Sequence, residues 1–189
     1  MASFDRPTDP NIPISPWIRR FSPLFPTSGR VLDLAAGHGR HARHFLNLGF
    51  DVTAVDIDVS NLGDLVGSGA EIIEADLEEA PWPFSGRSFG AIIVCNYLYR
   101  PHYPLLTKAL DSGGILLIDT FAQGNEKVGR PRNPDFLLAP GELLEAFSPH
   151  LRVVAYEQGY EEKPRPAVRQ RLCAVKIKSK NDVNDLPAF

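Results

Sequence analysis

Between Val31 and Phe121 the chain alternates short apolar runs with stretches of helical spacing, and this rhythm restricts the folds open to it. The runs are VLDLA (31–35), DVTAVDI (51–57), AEIIEAD (70–76), FGAIIVCN (89–96) and GILLIDTF (114–121). HARHFLNLG (41–49) and PLLTKALD (104–111) carry the helical spacing. Strands that are apolar on both faces and separated by helices predict a parallel sheet covered on each side. Gly49 stands where a helix C-cap glycine belongs, just before the second strand, and Gly113-Gly114 make the turn into the fifth. After residue 121 the rhythm breaks. AQGNEKVGRPRNPDF is too long and polar for an ordinary strand–helix connection, and such loops are often functional.

A short helix (140–147) and two further strands, LRVVAYEQ (151–158) and AVRQRLCAVKI (167–177), complete the pattern. The expected fold is α/β and Rossmann-like, a seven-stranded sheet, mostly parallel with an antiparallel final strand, with helices on both faces. One domain over residues 1–178 accounts for the pattern. Its first 28 residues form an arm and a helix, with Ser15 as N-cap and Pro16 at the first helical position. The polar stretch 179–189 is expected to fray.

A chain of 189 residues can bury a core without a disulfide or metal. Cys95 and Cys173 form no C-x-x-C pair, and both are read as buried thiols in apolar surroundings of a reducing cytosol. The N-terminus has no basic segment followed by an apolar core, and no apolar run approaches the roughly 20 residues that span a bilayer. These features predict a cytoplasmic protein. A net charge of −3 gives no electrostatic reason to expect a nucleic-acid partner.

The chemistry concentrates in VLDLAAGHGRHARHF (31–45). A strand running into G-x-G and then a helix brings backbone amides against a nucleotide, because glycine lacks the Cβ that would block contact. Three acids strengthen this reading: Asp33 in the first strand, Asp56 ending the second and Asp76 ending the third. In a parallel sheet these strand ends open on one edge, where ligands bind near the change of strand order. A carboxylate at the second strand end suits a ribose diol, and one at the third suits an adenine amino group. Gly37-His-Gly39-Arg-His-Ala42 also satisfies a dinucleotide fingerprint, so a nicotinamide oxidoreductase is a rival reading. Asp33 argues against it, since a pyrophosphate would be repelled and a cationic amino-acid group welcomed.

VLDLAAGHG resembles the first motif of class I S-adenosylmethionine-dependent methyltransferases, a D-x-G-x-G-x-G loop, and the resemblance spans residues 29–121 in the expected motif order. It implies cofactor contacts from Asp33, Ala35, Ala36, Gly37, His38 and Gly39 in the loop. It further implies Asp56 on the ribose, Ile57 beside the adenine, Asp76 and Leu77 at the adenine edge, and Asn96 near the methionine half. Ala35 replaces the first glycine of the motif, and Gly90 stands where an acid is common. The segment from Gly124 through Tyr160 is similar to small bacterial methyltransferases of the tellurite-resistance type. The resemblance implies an S-adenosylmethionine-dependent enzyme acting on a small-molecule acceptor, with a non-catalytic, cofactor-binding regulatory protein as the alternative.

His38, His41 and His44 lie at i, i+3 and i+6, so only adjacent members share a helix face, and no fourth ligand stands nearby for zinc. No metal is expected. His38 is read as a loop residue over the cofactor and the other two as surface residues. Trp17 and Trp82 are read as packing residues, with Trp17 alternatively covering the substrate and Trp82 bordering the adenine. The family members that methylate nucleobase amines carry [ND]-P-P-[FY] after the fourth strand, whereas this chain has Asn96-Tyr-Leu-Tyr99. Tyr97, Tyr99 and Arg100 are therefore the first substrate-pocket candidates, followed by Lys127, Arg130 and Arg132 in the long loop. Displacement at a sulfonium depends on alignment and exclusion of water, so no general base is assigned.

Overall fold

The computed structural model describes residues 13–27 and 29–177; the sequence readings for the arm before Pro13 and for the 179–189 tail lie outside the described residues. Its seven strands are β1 (Val31–Leu34), β2 (Val52–Asp56), β3 (Ala70–Glu74), β4 (Phe89–Cys95), β5 (Leu110–Phe121), β6 (Arg152–Glu161) and β7 (Ala167–Val175). They form one sheet in the order β3-β2-β1-β4-β5-β7-β6. The pairs from β3 to β5 are parallel, and β7 runs antiparallel between β5 and β6. This is the expected sheet. The strand order reverses between β1 and β4, which puts the carboxyl ends of those two strands at the crevice where such sheets bind ligands.

Period-two alternation divides the core. Leu32, Leu34, Ile92, Val94, Leu116 and Ile118 point to one face, with Leu106 of α3 (Tyr103–Ala109) and Leu143 and Phe147 of α4 (Glu142–Phe147). Val31, Ala91, Ile93, Ile115 and Leu117 point to the other. There they meet Trp17 and Ile18 of α1 (Pro16–Phe21) and Phe45 of α2 (Arg40–Asn47). The buried central strands lose apolar surface on both sides, the largest favourable term in folding. Edge strands β3 and β6 are only partly buried.

Local signals act as read at the start of α1 and at the end of α2. Ser15 Oγ accepts from Trp17 N and Ile18 N, capping α1 ahead of Pro16. Gly49, at φ +85°, follows the end of α2, and its N–H donates to Leu46 O at 2.9 Å. Two crossovers are thinner than the rhythm suggests. Ser60–Leu65 is a 3-10 helix between β2 and β3, where Gly63, Gly67 and Gly69 disfavour a longer helix. No helix forms between β3 and β4. Pro81 and Pro83 interrupt that segment, and Phe84 plugs the core in its place, 1% exposed. No helix among the described residues is long and apolar enough to cross a membrane.

Candidate active site

The loop after β1 turns on residues with positive φ: Ala35 at 55°, Gly37 at 57° and Gly39 at 70°. Ala35 thus adopts the conformation for which glycine is usually needed, at a cost of roughly 1–2 kcal/mol. The two glycines serve different ends. A Cβ on Gly39 would stand 2.5 Å from Leu62 Cδ2, so this glycine admits the crossover helix against α2. A Cβ on Gly37 would meet nothing within 4 Å, so this one faces open space. The Gly37 amide is aimed by Asp56, whose Oδ2 accepts it at 2.7 Å while Oδ1 accepts Asp58 N at 3.1 Å. Asp56 therefore ties the end of β2 to the loop of β1. Ile57 beside it is 41% exposed, an apolar side chain turned outward at the strand end.

Asp76 closes the turn after β3, its Oδ1 accepting from Glu78 N and Glu79 N at 3.0 and 3.2 Å, and Leu77 behind it is buried. Ala36 is buried and His38 partly so, its carbonyl accepting from Arg43 Nη1. Asp33 does not reach the crevice directly. It is 1% exposed, and its Oδ2 accepts from Ala42 N at 3.0 Å, anchoring the first turn of α2. Its influence on a ligand passes through the loop.

The structure corrects the reading of His41 as a surface residue. It is 3% exposed, with Nδ1 3.7 Å from Asp33 Oδ1, because the helix turns this position inward over β1. Cys95 is likewise in a polar setting, with Arg40 Nη2 3.2 Å from its sulfur, whereas Cys173 lies in the apolar core and burial pushes its thiol up to about 12. Burial pulls the His41 imidazole down, but facing Cys95 and Asp33 outweigh it and raise the pKa to about 9. The Ser15 N–H donates to Nε2 at 3.4 Å, a long bond that only the neutral ring accepts and that opposes the rise. A raised folded pKa contributes stability that is complete below the unfolded value, about 6.5, and is lost as pH rises towards 9. Urea unfolding should show wild-type stability falling across that window, with a flatter profile for His41→Gln. Parallel profiles would contradict a charged His41.

Missed by the sequence reading is a polar row on the face under α1 and α2. Cys95 pairs in register with Asp119, Asp119 with Arg171, and Arg171 with Glu157. Asp119 is 3% exposed and accepts from Ser15 Oγ at 2.6 Å, Arg169 Nε at 2.6 Å and Arg171 Nε at 3.1 Å. Burial opposes its ionisation, but the two guanidiniums and the Ser15 hydroxyl hold its carboxyl below the usual range. Arg169 also donates through Nη2 to Asn96 Oδ1 at 2.6 Å. Asn96, at φ +56°, sits at the end of β4 with its backbone N–H on Asp119 O. The signal in the sequence is the acid inside GILLIDTF and the basic residues alternating through AVRQRLCAV.

Of the substrate-side candidates, Trp17 lies in the core, 3% exposed, its Nε1 donating to Leu172 O at 3.2 Å. This is a packing position. Arg100 is spent on structure: Nε and Nη2 grip Glu142 at 2.8 and 2.9 Å, and Nη1 and Nη2 hold the carbonyls of Asp135 and Leu137. It pins the long loop rather than awaiting a ligand. Tyr99 donates to Glu78 O at 3.2 Å and, with Arg100, Glu78, Pro101 and Phe136, borders a hollow of about 340 Å³. The Tyr97 hydroxyl is buried without a partner among the described residues, and burial raises its pKa. Trp82 packs against Phe84 and His102, at centroid distances of 5.1 and 4.9 Å. Lys127, Arg130 and Arg132 lie on the exposed face of the long loop. That loop is ordered by Asn125, whose amide bonds Pro131 O and Val168 N from a fully buried position.

A doubly wound sheet, a glycine loop at its switch point and an acid at the end of β2 define a protein of the nucleotide-cofactor-binding α/β class. The chain belongs to the methyltransferase-domain family, whose family model matches residues 12–150. The putative methyltransferase YqeM of Bacillus subtilis (strain 168) is 31% identical over 121 residues, 57% of this chain and 48% of that protein. The chain thus spans about half the length of that curated relative. TehB from Haemophilus influenzae superposes with a TM-score of 0.68 at 19% identity, over 84% of this chain and 60% of that one. The glycopeptide N-methyltransferase MtfA, solved with S-adenosyl-L-homocysteine, superposes at 0.59 with 21% identity, over 84% and 87% of the two chains.

Proposed function

We propose that the chain transfers a methyl group from S-adenosylmethionine to a small-molecule acceptor. The observation that carries this is the Gly37 loop: its backbone is fixed by the N–H donated to Asp56, it has no side chain, and open space lies in front of it at the β1/β4 switch point. Structural neighbours bound to S-adenosylmethionine and its product, and one bound to the small acceptor 1,6-didemethyltoxoflavin, support the reading. Family membership sets the nicotinamide alternative aside.

The residues fit the cofactor. Ala35, Ala36, Gly37, His38 and Gly39 would line its amino-acid side, with Asn96 at the end of β4. Asp56 would take the ribose, Ile57 the adenine face, and Asp76 and Leu77 the adenine edge. When bound, the cofactor supplies an electrophilic methyl on sulfonium. The chain supplies orientation: Asp33 fixes α2 behind the loop, and Asp56 fixes the loop against β2. Tyr97 and Tyr99 would border the acceptor and exclude water. Lys127, Arg130 and Arg132 could attract an anionic acceptor from the loop above. A cytoplasmic setting accords with this chemistry.

Isothermal titration with S-adenosylhomocysteine tests the cofactor assignment; absence of heat at concentrations far above micromolar would overturn it. The two loop glycines should separate binding from folding. Gly37→Ala should cost only about 1 kcal/mol of stability, from backbone conformation, yet weaken S-adenosylhomocysteine binding at least tenfold by filling the space before the loop. Gly39→Ala should destabilise by about 2 kcal/mol or more, through collision with buried Leu62 as well as conformation. Thermal unfolding and titration of both variants check the contrast.

A further inference from the structure

We infer that Tyr97 and His102 form a slot that holds a neutral hydroxyl of the methyl acceptor; this rests on the methyltransferase reading and names the class of its second substrate. Among the described residues, Tyr97 Oη and His102 Nδ1 are the enclosed side-chain atoms with no hydrogen-bond partner. Both residues line one cavity of about 10 Å³, room for a single hydroxyl-sized group. The cavity lies towards the carboxyl ends of β1, β4 and β5, with Leu34, Val94 and Ile118 in its wall. Its other two tyrosines are already spent: Tyr99 donates to Glu78 O at 3.2 Å and Tyr103 to Glu142 Oε1 at 2.9 Å. A buried polar atom left unpaired costs its whole lost hydration, and here two such atoms belong to one small space.

The chemistry of the two atoms selects the ligand. Burial lowers the pKa of His102, opposed by a hydrogen bond from its ring to the Leu77 carbonyl. With Nδ1 unpartnered, that bond is made by Nε2, which leaves Nδ1 of the neutral ring as an acceptor. Burial raises the pKa of Tyr97, so its hydroxyl keeps a proton to donate. One donor and one acceptor are matched by a group that accepts and donates at once, as a hydroxyl does. A carboxylate cannot donate and an ammonium cannot accept. Either would also bring a charge among Leu34, Val94, Leu106 and Ile118, with no charged residue in the wall to pair it. His102 is 4% exposed and its ring lies 4.9 Å from that of Trp82 and 4.8 Å from that of Tyr99. A side chain so held has already lost its rotamer freedom, so a ligand that meets it is spared that cost. The body of the acceptor has room beside the slot, in the hollow of about 340 Å³ that shares Leu98 and Tyr99 with it.

The test uses phenol, with fluorobenzene as the analogue lacking the hydroxyl and benzoate as an anionic arm, on the full chain with and without S-adenosylhomocysteine. Phenol should bind at least tenfold more tightly than either and shift the His102 15Nδ1 resonance. Tyr97→Phe should lower phenol affinity at least fivefold while changing S-adenosylhomocysteine affinity less than twofold. The same variant should raise the thermal midpoint of the free chain by about 2–4 °C, because an unpaired buried hydroxyl is gone. A hydroxyl with a structural role would give the opposite sign. Should the variant fail to fold, the wild-type resonance shift decides the question. Equal binding of phenol and fluorobenzene, benzoate binding as tightly as phenol, phenol binding that leaves His102 unmoved, or a lower midpoint in Tyr97→Phe would each overturn the assignment. Loss of S-adenosylhomocysteine binding in the wild type, with the phenol shift intact, would instead strike the methyltransferase reading alone.

Discussion

Asp119→Asn should destabilise the protein by about 3–5 kcal/mol, the range for breaking a buried ion pair by removing one partner. The substitution keeps shape and removes the charge that two guanidiniums share at 2.6 and 3.1 Å. Arg171 retains Glu161, but the nearest other carboxylate to Arg169 Nε is Glu161 at 3.8 Å, too long for a good hydrogen bond. A cation 8% exposed is left nearly uncompensated. Replacing Arg169 with Met in the same chain should recover part of the loss, because the stranded charge is then gone. Since its pKa is depressed, Asp119 contributes stability that is present above the ordinary carboxylate range and lost as pH falls through the lower folded value. Urea unfolding at neutral and acid pH measures both effects. A loss below about 1 kcal/mol would mean that Glu161 moves in to replace Asp119.

Asp56→Ala should weaken S-adenosylhomocysteine binding by about 2–3 kcal/mol, roughly 30- to 150-fold. Two losses combine. The ribose would lose a charged acceptor, and the Gly37 amide would lose the carboxylate that aims it at 2.7 Å. Asp56→Asn separates them: the amide oxygen can still accept from Gly37 while the charge is removed, so it should show the smaller defect. Titration of both variants, with thermal unfolding as a control, checks the order. Unchanged affinity in Asp56→Ala would mean that the ribose lies elsewhere.

The sheet was legible because burial imposes a period on sequence. Runs such as GAIIVC can be apolar at every position only if both faces are covered, and β4 is buried throughout. The long loop was recognisable by length and polarity, but its role in the fold was not. Arg100 looked like a pocket cation because it follows β4 directly; its partner Glu142 is 42 residues away in the chain. The sequence reading separated the strands by helices; Gly63, Pro81 and Pro83 are why the crossovers on either side of β3 are thin.

By itself the sequence determined the order of strands and crossovers, the glycine loop at the end of β1 and the acids that accompany it. These are local patterns, set by backbone conformation and by which faces meet water. Tertiary structure alone decided that Asp33 serves α2, that His41 turns inward to Cys95, and that Asp119, Arg169 and Asn96 meet across three strands. Those contacts join residues up to 73 positions apart, as Arg169 joins Asn96. Spacing along the chain carries no record of them, because strand register places them side by side only when the sheet has formed.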